Sequence, residues 1–300
     1  MIVPHSSRLA WLTVRYIGLP MLGLIAYDVV IVLLYQAGYL NWAALEQIPL
    51  SLFGSVIGVI LAFRNSSSYA RWWEARTLWG SIVNNSRSWA RAVTTVMSGD
   101  GELVQARRQM VYYQIAWVHA LRQHLRRLEP WDEIAGLLGP EEIGELRGQK
   151  NIPVAIQQRQ SLMLRKALDA GWIDMAQWHA MNQSLDDLVD AQGGAERIKN
   201  TPMPRQYDYL PHLCAQMFCF LLPLAMVSGL GWFTPLGSTG VGFIFLTLDK
   251  IGRDLEDPFD NTVHDIPLTA MCRTIEINLR QMLGETELPP DATPVGGVLW

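Results

Sequence analysis

The feature that most constrains this chain is the tract 209–248, which contains no Asp, Glu, Lys or Arg. A helix that crosses a membrane needs roughly 20 apolar residues, so this tract is long enough for two. The stretch "GLGWFTPLGSTG" lies near its middle, and such a run of Gly and Pro is typical of a turn. We therefore expect an apolar helical hairpin in this part of the chain.

Two further apolar segments lie near the N-terminus. The first, Tyr16 to Tyr35, carries one charge, Asp28. The second, Ile48 to Phe63, is uncharged but short for a span. It is either a soluble core helix or a helix at the centre of an assembly, where the polar residues after Phe63 continue the same helix into water. The second alternative gives four membrane helices in all.

The remaining chain is polar and shows helical rather than alternating spacing, so the sequence predicts an all-α protein. We expect an N-terminal transmembrane hairpin over 1–64 and a helical cytosolic domain over 65–206. A C-terminal hairpin over 207–250 and a cytosolic segment and tail over 251–300 follow. The segment "IDMAQWHAMNQSLDDLVDAQGG" is predicted to be a helix that ends at its glycines.

The positive residues predict the topology and the location. Arg8 and Arg15 precede the first span, and neither predicted outer loop contains Lys or Arg. By the positive-inside rule, both termini and the middle segment are cytoplasmic in a multi-pass membrane protein. The net charge of −4 gives no reason to expect a nucleic acid partner.

The sequence contains none of the motifs of common enzymes: no G-x-S-x-G, P-loop, H-E-x-x-H or dinucleotide-binding glycine pattern. We therefore expect a protein that is not an enzyme. Asp28 and His212 lie within apolar segments, where ionisable groups are functional candidates. Each forms either a structural hydrogen bond or a proton-coupling site of a secondary transporter.

The second apolar segment has the strongest physical pattern. Ser51, Ser55, Val59 and Phe63 follow one another at four-residue intervals and so share one side of a helix. We call the last three the neck face. A neighbouring stripe contains small residues that let membrane helices approach closely: Gly54, Gly58 and Ala62. Several copies around an axis would form an apolar constriction that selects ions by the cost of dehydration. Packing within a single subunit is the alternative.

The stretch "FRNSSSYARWWEAR" then marks the passage from membrane to cytosol, with Arg64, Arg71, Trp72 and Trp73 at the boundary. This stretch resembles the bestrophins, specifically their bacterial branch. The resemblance extends to "GGAERIKNTPMP", "YLPHLC" and "EDPFDNTVHDIPL" and covers most of the chain.

The resemblance implies a homopentamer in a lipid membrane with one axial pore. Each subunit of such a pentamer contributes four membrane helices and a helical cytosolic domain. It also implies passive conduction of small inorganic ions, either chloride and other anions or Na⁺ and K⁺. In the family, apolar residues line the neck, and those positions are Ser55, Val59 and Phe63 here. A second constriction at the cytosolic exit corresponds to Ile173. The alternative is a membrane-anchored regulatory or interaction protein with incidental conduction.

Two departures from the family are visible. Ser55 occupies the uppermost neck position, which is usually apolar. Animal bestrophins bind calcium through consecutive acids, whereas this chain has only Asp260 and Asp265 after its Pro-Phe pair. These two acids are weak metal candidates. We expect neither calcium activation nor a cofactor. Whether Arg64 faces the ion path, where it would favour anions, or a neighbouring subunit is left open by the sequence.

Overall fold

The described part of the chain in a computed structural model comprises residues 8–40, 49–99 and 101–300. Residues 1–7, 41–48 and 100 lie outside it, and with them most of the predicted outer loop and Ile48, the first residue of the second apolar segment. Within the described ranges the chain is helical and forms no strand, with one isolated antiparallel bridge between Val295 and Val298. The all-α prediction is confirmed.

Ten helices lie within the described residues. In order they are α1 (Arg8–Gln36), α2 (Leu50–Thr95), α3 (Leu103–Leu125), α4 (Trp131–Ile134), α5 (Pro140–Leu146), α6 (Ile152–Asp169), α7 (Met175–Asn200), α8 (Arg205–Leu230), α9 (Thr234–Asp254) and α10 (Leu268–Met282). A 3₁₀ turn, Gly231–Phe233, separates α8 from α9.

The chain divides into two compact units. The apolar unit consists of 4–72 and 202–257, and the polar unit consists mainly of 73–201 and 258–300. Three described stretches are long and apolar enough to cross a membrane: Gly18–Gln36, Leu50–Thr95 and Arg205–Asp254. The third of these contains both α8 and α9.

The apolar unit is held together by side chains that interlock between its helices. Ile57 and Leu61 of α2 pack against Phe218 and Leu222 of α8. At the contact between α1 and α9 a Cβ on Gly242 would overlap the side chain of Leu24. A small residue is therefore required there for the two helices to approach this closely.

The turn between α8 and α9 lies inside the stretch that the sequence marked as a turn. Gly231 caps α8 with φ +50°, a left-handed conformation that glycine adopts without a steric penalty. The turn is narrower than the stretch, because α9 already begins at Thr234 and continues through Gly240.

Helix α2 runs without interruption from Leu50 to Thr95, so it does not stop at the serine cluster. The Ser67 hydroxyl donates to the Phe63 carbonyl oxygen at 3.0 Å. A serine that bonds back to the preceding turn in this way is tolerated inside a helix. The prediction that the apolar segment continues into a polar helix is confirmed.

The polar unit has a core that contains three fully buried tryptophans, Trp79, Trp89 and Trp117. Here one sequence prediction is wrong, because α7 does not end at its glycines but continues to Asn200. A Cβ on Gly194 would lie 2.9 Å from both methyl carbons of Leu78. This glycine therefore allows α7 to approach α2 closely, a role that a glycine at a helix end does not have.

Candidate functional site: the exposed face of the second helix

The neck face is exposed along the membrane half of α2. Val59 is 55% exposed and Phe63 is 68% exposed, and Ser55 is exposed one turn before them. The Ser55 hydroxyl donates to the Ser51 carbonyl oxygen at 2.8 Å, so its one donor is already used within the helix. This face presents apolar side chains and one hydroxyl oxygen, and it carries no formal charge.

The opposite side of α2 is the side that packs within the subunit. Ile57 is 7% exposed and Leu61 is fully buried against α8. Only 17% of the most apolar stretch of this helix is buried inside the chain. Exposed apolar surface of this extent marks a site that is covered by lipid or by another protein.

The stripe of small residues is used only in part within one chain. A Cβ on Gly54 would lie 3.0 Å from the Phe218 ring, so Gly54 makes room for α8. A Cβ on Gly58 would meet nothing within 4 Å, and Ala62 is exposed. Gly58 and Ala62 therefore remain available for contact outside the subunit.

Arg64, the residue after the neck face, faces the interior of its own subunit. Its side chain is 1% exposed. Its Nη1 donates to the Asp249 carboxylate at 2.7 Å and to the Asp249 carbonyl oxygen at 3.1 Å. Its Nη2 lies 2.5 Å from the Asp208 carboxylate. We call Arg64, Asp208 and Asp249 the Arg64 cluster. Within one chain the guanidinium is thus paired with carboxylates of its own subunit and turned away from the neck face.

Further polar contacts surround the Arg64 cluster. His212 Nδ1 lies 2.7 Å from the second oxygen of Asp249, and Arg253 reaches the same oxygen at 3.0 Å. Asn65 Nδ2 donates to the Leu248 carbonyl oxygen at 2.9 Å. The buried carboxylate of Asp249 therefore has bonding partners on α2, α8 and α9. His212, a candidate for proton coupling, is one of these partners.

The predicted boundary residues continue the contacts between α2 and the end of α9. Arg71 Nε donates to the Glu256 carbonyl oxygen at 2.7 Å. Burial, together with the charge of Asp208, raises the pKa of the Glu256 carboxyl. The Trp72 ring stacks on Tyr69 with 6.4 Å between centroids, and Trp73 is 56% exposed.

Ile173, the residue predicted at a pore exit, is buried within one chain. Its side chain is 4% exposed and lies in the core of the polar unit. A residue that narrows an ion path has to reach that path. Met175, two residues later at the start of α7, is 62% exposed. Met175 is therefore the better candidate for an exit constriction in this segment.

Comparisons with known proteins identify the family of this chain. The family model of bacterial and fungal bestrophin proteins matches residues 12–281. The chain belongs to the bestrophin family. A relative from Mesorhizobium japonicum is 32% identical over 91% of this chain and 86% of its own length, and it is named a voltage-dependent anion channel-forming protein. A relative from Escherichia coli K12 with the same description is 34% identical over 82% of this chain and 80% of its own. The crystal structure of a bacterial bestrophin homologue from Klebsiella pneumoniae matches with a TM-score of 0.84 and 32% identity, covering 90% of this chain and all of that one.

The two acids that the sequence compared with the calcium site of animal bestrophins have other bonding partners in this bestrophin. Asp260 pairs with Lys199. Asp265 is 2% exposed and accepts hydrogen bonds from the Thr262 hydroxyl at 2.6 Å and the Thr262 backbone N–H at 2.9 Å. Over residues 8–40, 49–99 and 101–300, no three His, Cys, Asp or Glu side chains are grouped as metal ligands.

Asp28 lies buried at the contact between α1 and α9. Its two carboxylate oxygens accept hydrogen bonds from the Ser238 hydroxyl at 3.2 Å and the Thr239 hydroxyl at 3.1 Å. Of the two alternatives for Asp28, the geometry therefore favours the structural one, a polar link between two membrane helices.

A second buried charge cluster lies in the polar unit and was not predicted. His119 Nδ1 lies 3.1 Å from Glu133, and its Nε2 lies 3.1 Å from Glu276. Arg122 also pairs with Glu133. The hydrogen bond with His119 and the charge of Arg122 outweigh burial and lower the pKa of Glu133 to about 2. This cluster joins α3, α4 and α10 and stabilises the polar unit.

Sequence reasoning missed Asp208 and Asp249, although a pattern for them was present. These two acids stand immediately before and after the uncharged tract 209–248, and Arg64 ends the uncharged segment of α2. In a membrane hairpin the two ends of the tract return to the same side of the membrane, so Asp208 and Asp249 lie at the same depth. The apolar part of α2 ends on that side too, which places Arg64 beside them. Charges that bracket apolar tracts are thus the pattern by which such pairs can be found.

Proposed function

We propose that this bestrophin is a passive ion channel of the bacterial inner membrane that assembles as a homopentamer around one axial pore. Each subunit would contribute four membrane helices, α1, the first half of α2, α8 and α9, with both termini and the polar unit in the cytoplasm. The exposed and uncharged neck face is the observation that carries the proposal. On a monomer, lipid would cover Val59 and Phe63. The four-residue spacing of Ser55, Val59 and Phe63 instead places all three on one face of α2, which can line the central axis of a ring of subunits.

The neck would act through the cost of dehydration. Five copies of Val59 and Phe63 would surround the ion with apolar groups, and Ser55 would offer a hydroxyl oxygen above them. Because Arg64 is paired with carboxylates of its own subunit, it adds no free positive charge to this constriction. We infer that Met175 narrows the cytosolic exit.

We propose that the permeant ions are anions. The curated relatives are described as voltage-dependent anion channel-forming proteins, which favours anions over the alternative of Na⁺ and K⁺. The purified protein in a planar bilayer with a KCl gradient tests this choice. The reversal potential should take the sign of the chloride equilibrium potential, and the opposite sign would show a cation channel.

The neck assignment is tested by Val59→Ala, which we expect to raise the unitary conductance. Phe53→Ala is the matched control, because Phe53 is 54% exposed and lies about 120° around the helix from Val59. Equal conductance of Val59→Ala and the parent protein would contradict the assignment. Native mass spectrometry of the purified protein tests the pentamer independently of conduction.

We further propose that calcium does not gate this channel. The carboxylates of Asp260 and Asp265 are engaged by Lys199 and Thr262, so neither is prepared for a metal ion. Currents recorded in millimolar calcium and in a calcium chelator should have the same open probability. A reversible difference between the two conditions, lost in Asp260→Asn, would overturn this proposal.

A further inference from the structure

The residue that follows the neck face fixes the direction in which the neck face points. Consecutive residues of an α-helix are separated by about 100° around its axis. Arg64 follows Phe63 directly on α2, and Val59 lies one turn before Phe63. A contact that fixes the direction of the Arg64 side chain around the axis of α2 therefore also fixes the directions of Phe63 and Val59.

The Arg64 side chain is held from several sides at once. Its two terminal nitrogens bind carboxylates on different helices, Asp249 on α9 and Asp208 on α8. The next residue, Asn65, bonds to the Leu248 carbonyl oxygen on α9. Gly252 lacks the Cβ that would come within 3.0 Å of the Asn65 amide oxygen. This arrangement leaves α2 little freedom to rotate against α9.

Stability alone does not account for a buried ion pair at this position. Apolar residues of similar volume are often as stabilising as a buried pair or more so, because removing two charges from water is costly. A guanidinium that binds carboxylates through both of its terminal nitrogens supplies instead a defined geometry. The buried Arg64–Asp249 pair is suited to select one rotation of α2.

We propose that Arg64 is a positioning residue that sets the rotation of α2 about its own axis and thereby the exposure of Val59 and Phe63. A rotation of about 20° moves a side-chain tip at a radius of about 5–6 Å by about 2 Å. The consequence for conduction, a change in the width of the neck, rests on the proposed channel function. The rotation itself does not.

The experiment compares three proteins in a background in which Cys214, Cys219 and Cys272 are replaced. The test variant is Arg64→Met with Asp249→Leu, which removes both charges of the pair and leaves neither buried alone. The control is Arg253→Met, which removes an arginine that contacts the other carboxylate oxygen of Asp249 from within α9 and so does not link α9 to α2. In each protein a nitroxide is placed in turn at residues 57 to 63 of the liposome-reconstituted protein. Its collision rates with molecular oxygen and with a water-soluble nickel chelate are then measured.

The parent protein and the Arg253 control should give the same periodic profile, with maxima at 59 and 63 and minima at 57 and 61. The double variant should shift the phase of that profile by at least 20°, or flatten it. An unchanged phase in a folded double variant would overturn the proposal. If the double variant does not assemble, Arg64→Lys replaces it, because lysine keeps the positive charge but lacks the two terminal nitrogens of the guanidinium. A phase shift of about 20° or more in Arg64→Lys would support the proposal, and a profile equal to that of the parent protein would overturn it.

The two relaxing agents separate this proposal from the proposed function. Maxima with the nickel chelate at 59 and 63 place these residues on a water path, as a channel requires. Maxima with oxygen alone would place them in lipid and contradict the channel neck, yet the phase would still report the rotation of α2. Unitary conductance of the double variant, expected to differ at least twofold from that of the control, then tests the consequence for conduction.

Discussion

Replacing Gly252 by alanine tests the contact between α2 and α9 at its closest point. The new Cβ would come within 3.0 Å of the Asn65 amide oxygen and to 3.5 Å from the Arg64 guanidinium carbon. The Asn65 side chain must then move and lose its 2.9 Å hydrogen bond to Leu248, at a cost of about 1 kcal/mol. Alanine is favoured over glycine in a helix by about 1 kcal/mol. The two terms offset each other, so we expect almost no change in the free energy of unfolding.

The matched control is Gly240→Ala in the same helix, where a new Cβ would meet nothing within 4 Å. This variant should keep the whole propensity gain of about 1 kcal/mol. The two alanine variants should therefore differ by about 1 kcal/mol in the free energy of unfolding, or about 1–2 °C in Tm for a chain of this size. Thermal unfolding in one detergent, followed by circular dichroism at 222 nm, measures the difference. Equal stabilisation by Gly252→Ala and Gly240→Ala would refute the reasoning, because it would show that Asn65 does not resist the added methyl group.

Three other outcomes follow from the polar unit and the cysteines. Glu133→Gln should lower the free energy of unfolding at pH 7 by about 1–2 kcal/mol. The hydrogen bond with His119 lowers the Glu133 pKa to about 2, and a shift of this size corresponds to a free energy larger than about 1–2 kcal/mol. The smaller value is expected because the Glu133 side chain is 33% exposed and solvent screens its charge. The parent protein should lose this stability as the pH falls from about 4.5 towards 2, because the Glu133 side chain stabilises the fold only while its carboxylate is charged. The Glu133→Gln variant should not show this loss. Gly194→Ala should lower the free energy of unfolding by about 1–3 kcal/mol through overpacking, measured by chemical denaturation. The control Gly193→Ala should not lower it, because a Cβ there would meet nothing within 4 Å. Cys272 should resist iodoacetamide at pH 8 while the partly exposed Cys214 reacts, because burial raises the Cys272 pKa to about 12; equal labelling rates by mass spectrometry would contradict this.

Local patterns were sufficient for the class of fold and for the course of α2. Helical spacing, the absence of alternating strands and the length of the apolar segments depend on residues that are close in sequence. The same holds for the turn at Gly231, where a glycine with positive φ ends one helix before the next begins. The neck face was also visible, because its four-residue spacing is a property of a single helix. Its exposure agrees with the prediction, and its place in a pore remains a proposal.

What sequence reasoning could not supply concerns residues whose surroundings depend on another part of the fold. The glycines of α7 resemble a helix end in sequence, but Gly194 meets Leu78 of a distant segment. Ile173 was placed at an exit by resemblance, while its burial in the polar unit depends on how that unit packs. A local pattern contains no information about these neighbours.

The sequence by itself determined an all-α chain with apolar helices and an uncharged neck face, because periodicity and apolar length act over a few turns of helix, and its motifs resembled those of the bestrophins. Only the tertiary structure decided where the charge beside that face points. Arg64 and its acidic partners are 144 and 185 positions apart in the chain. Burial makes their pairing obligatory, since an unpaired charge in that environment would be strongly destabilising. The rotation of α2, and with it the direction of Val59 and Phe63, therefore follows from contacts that no single segment encodes.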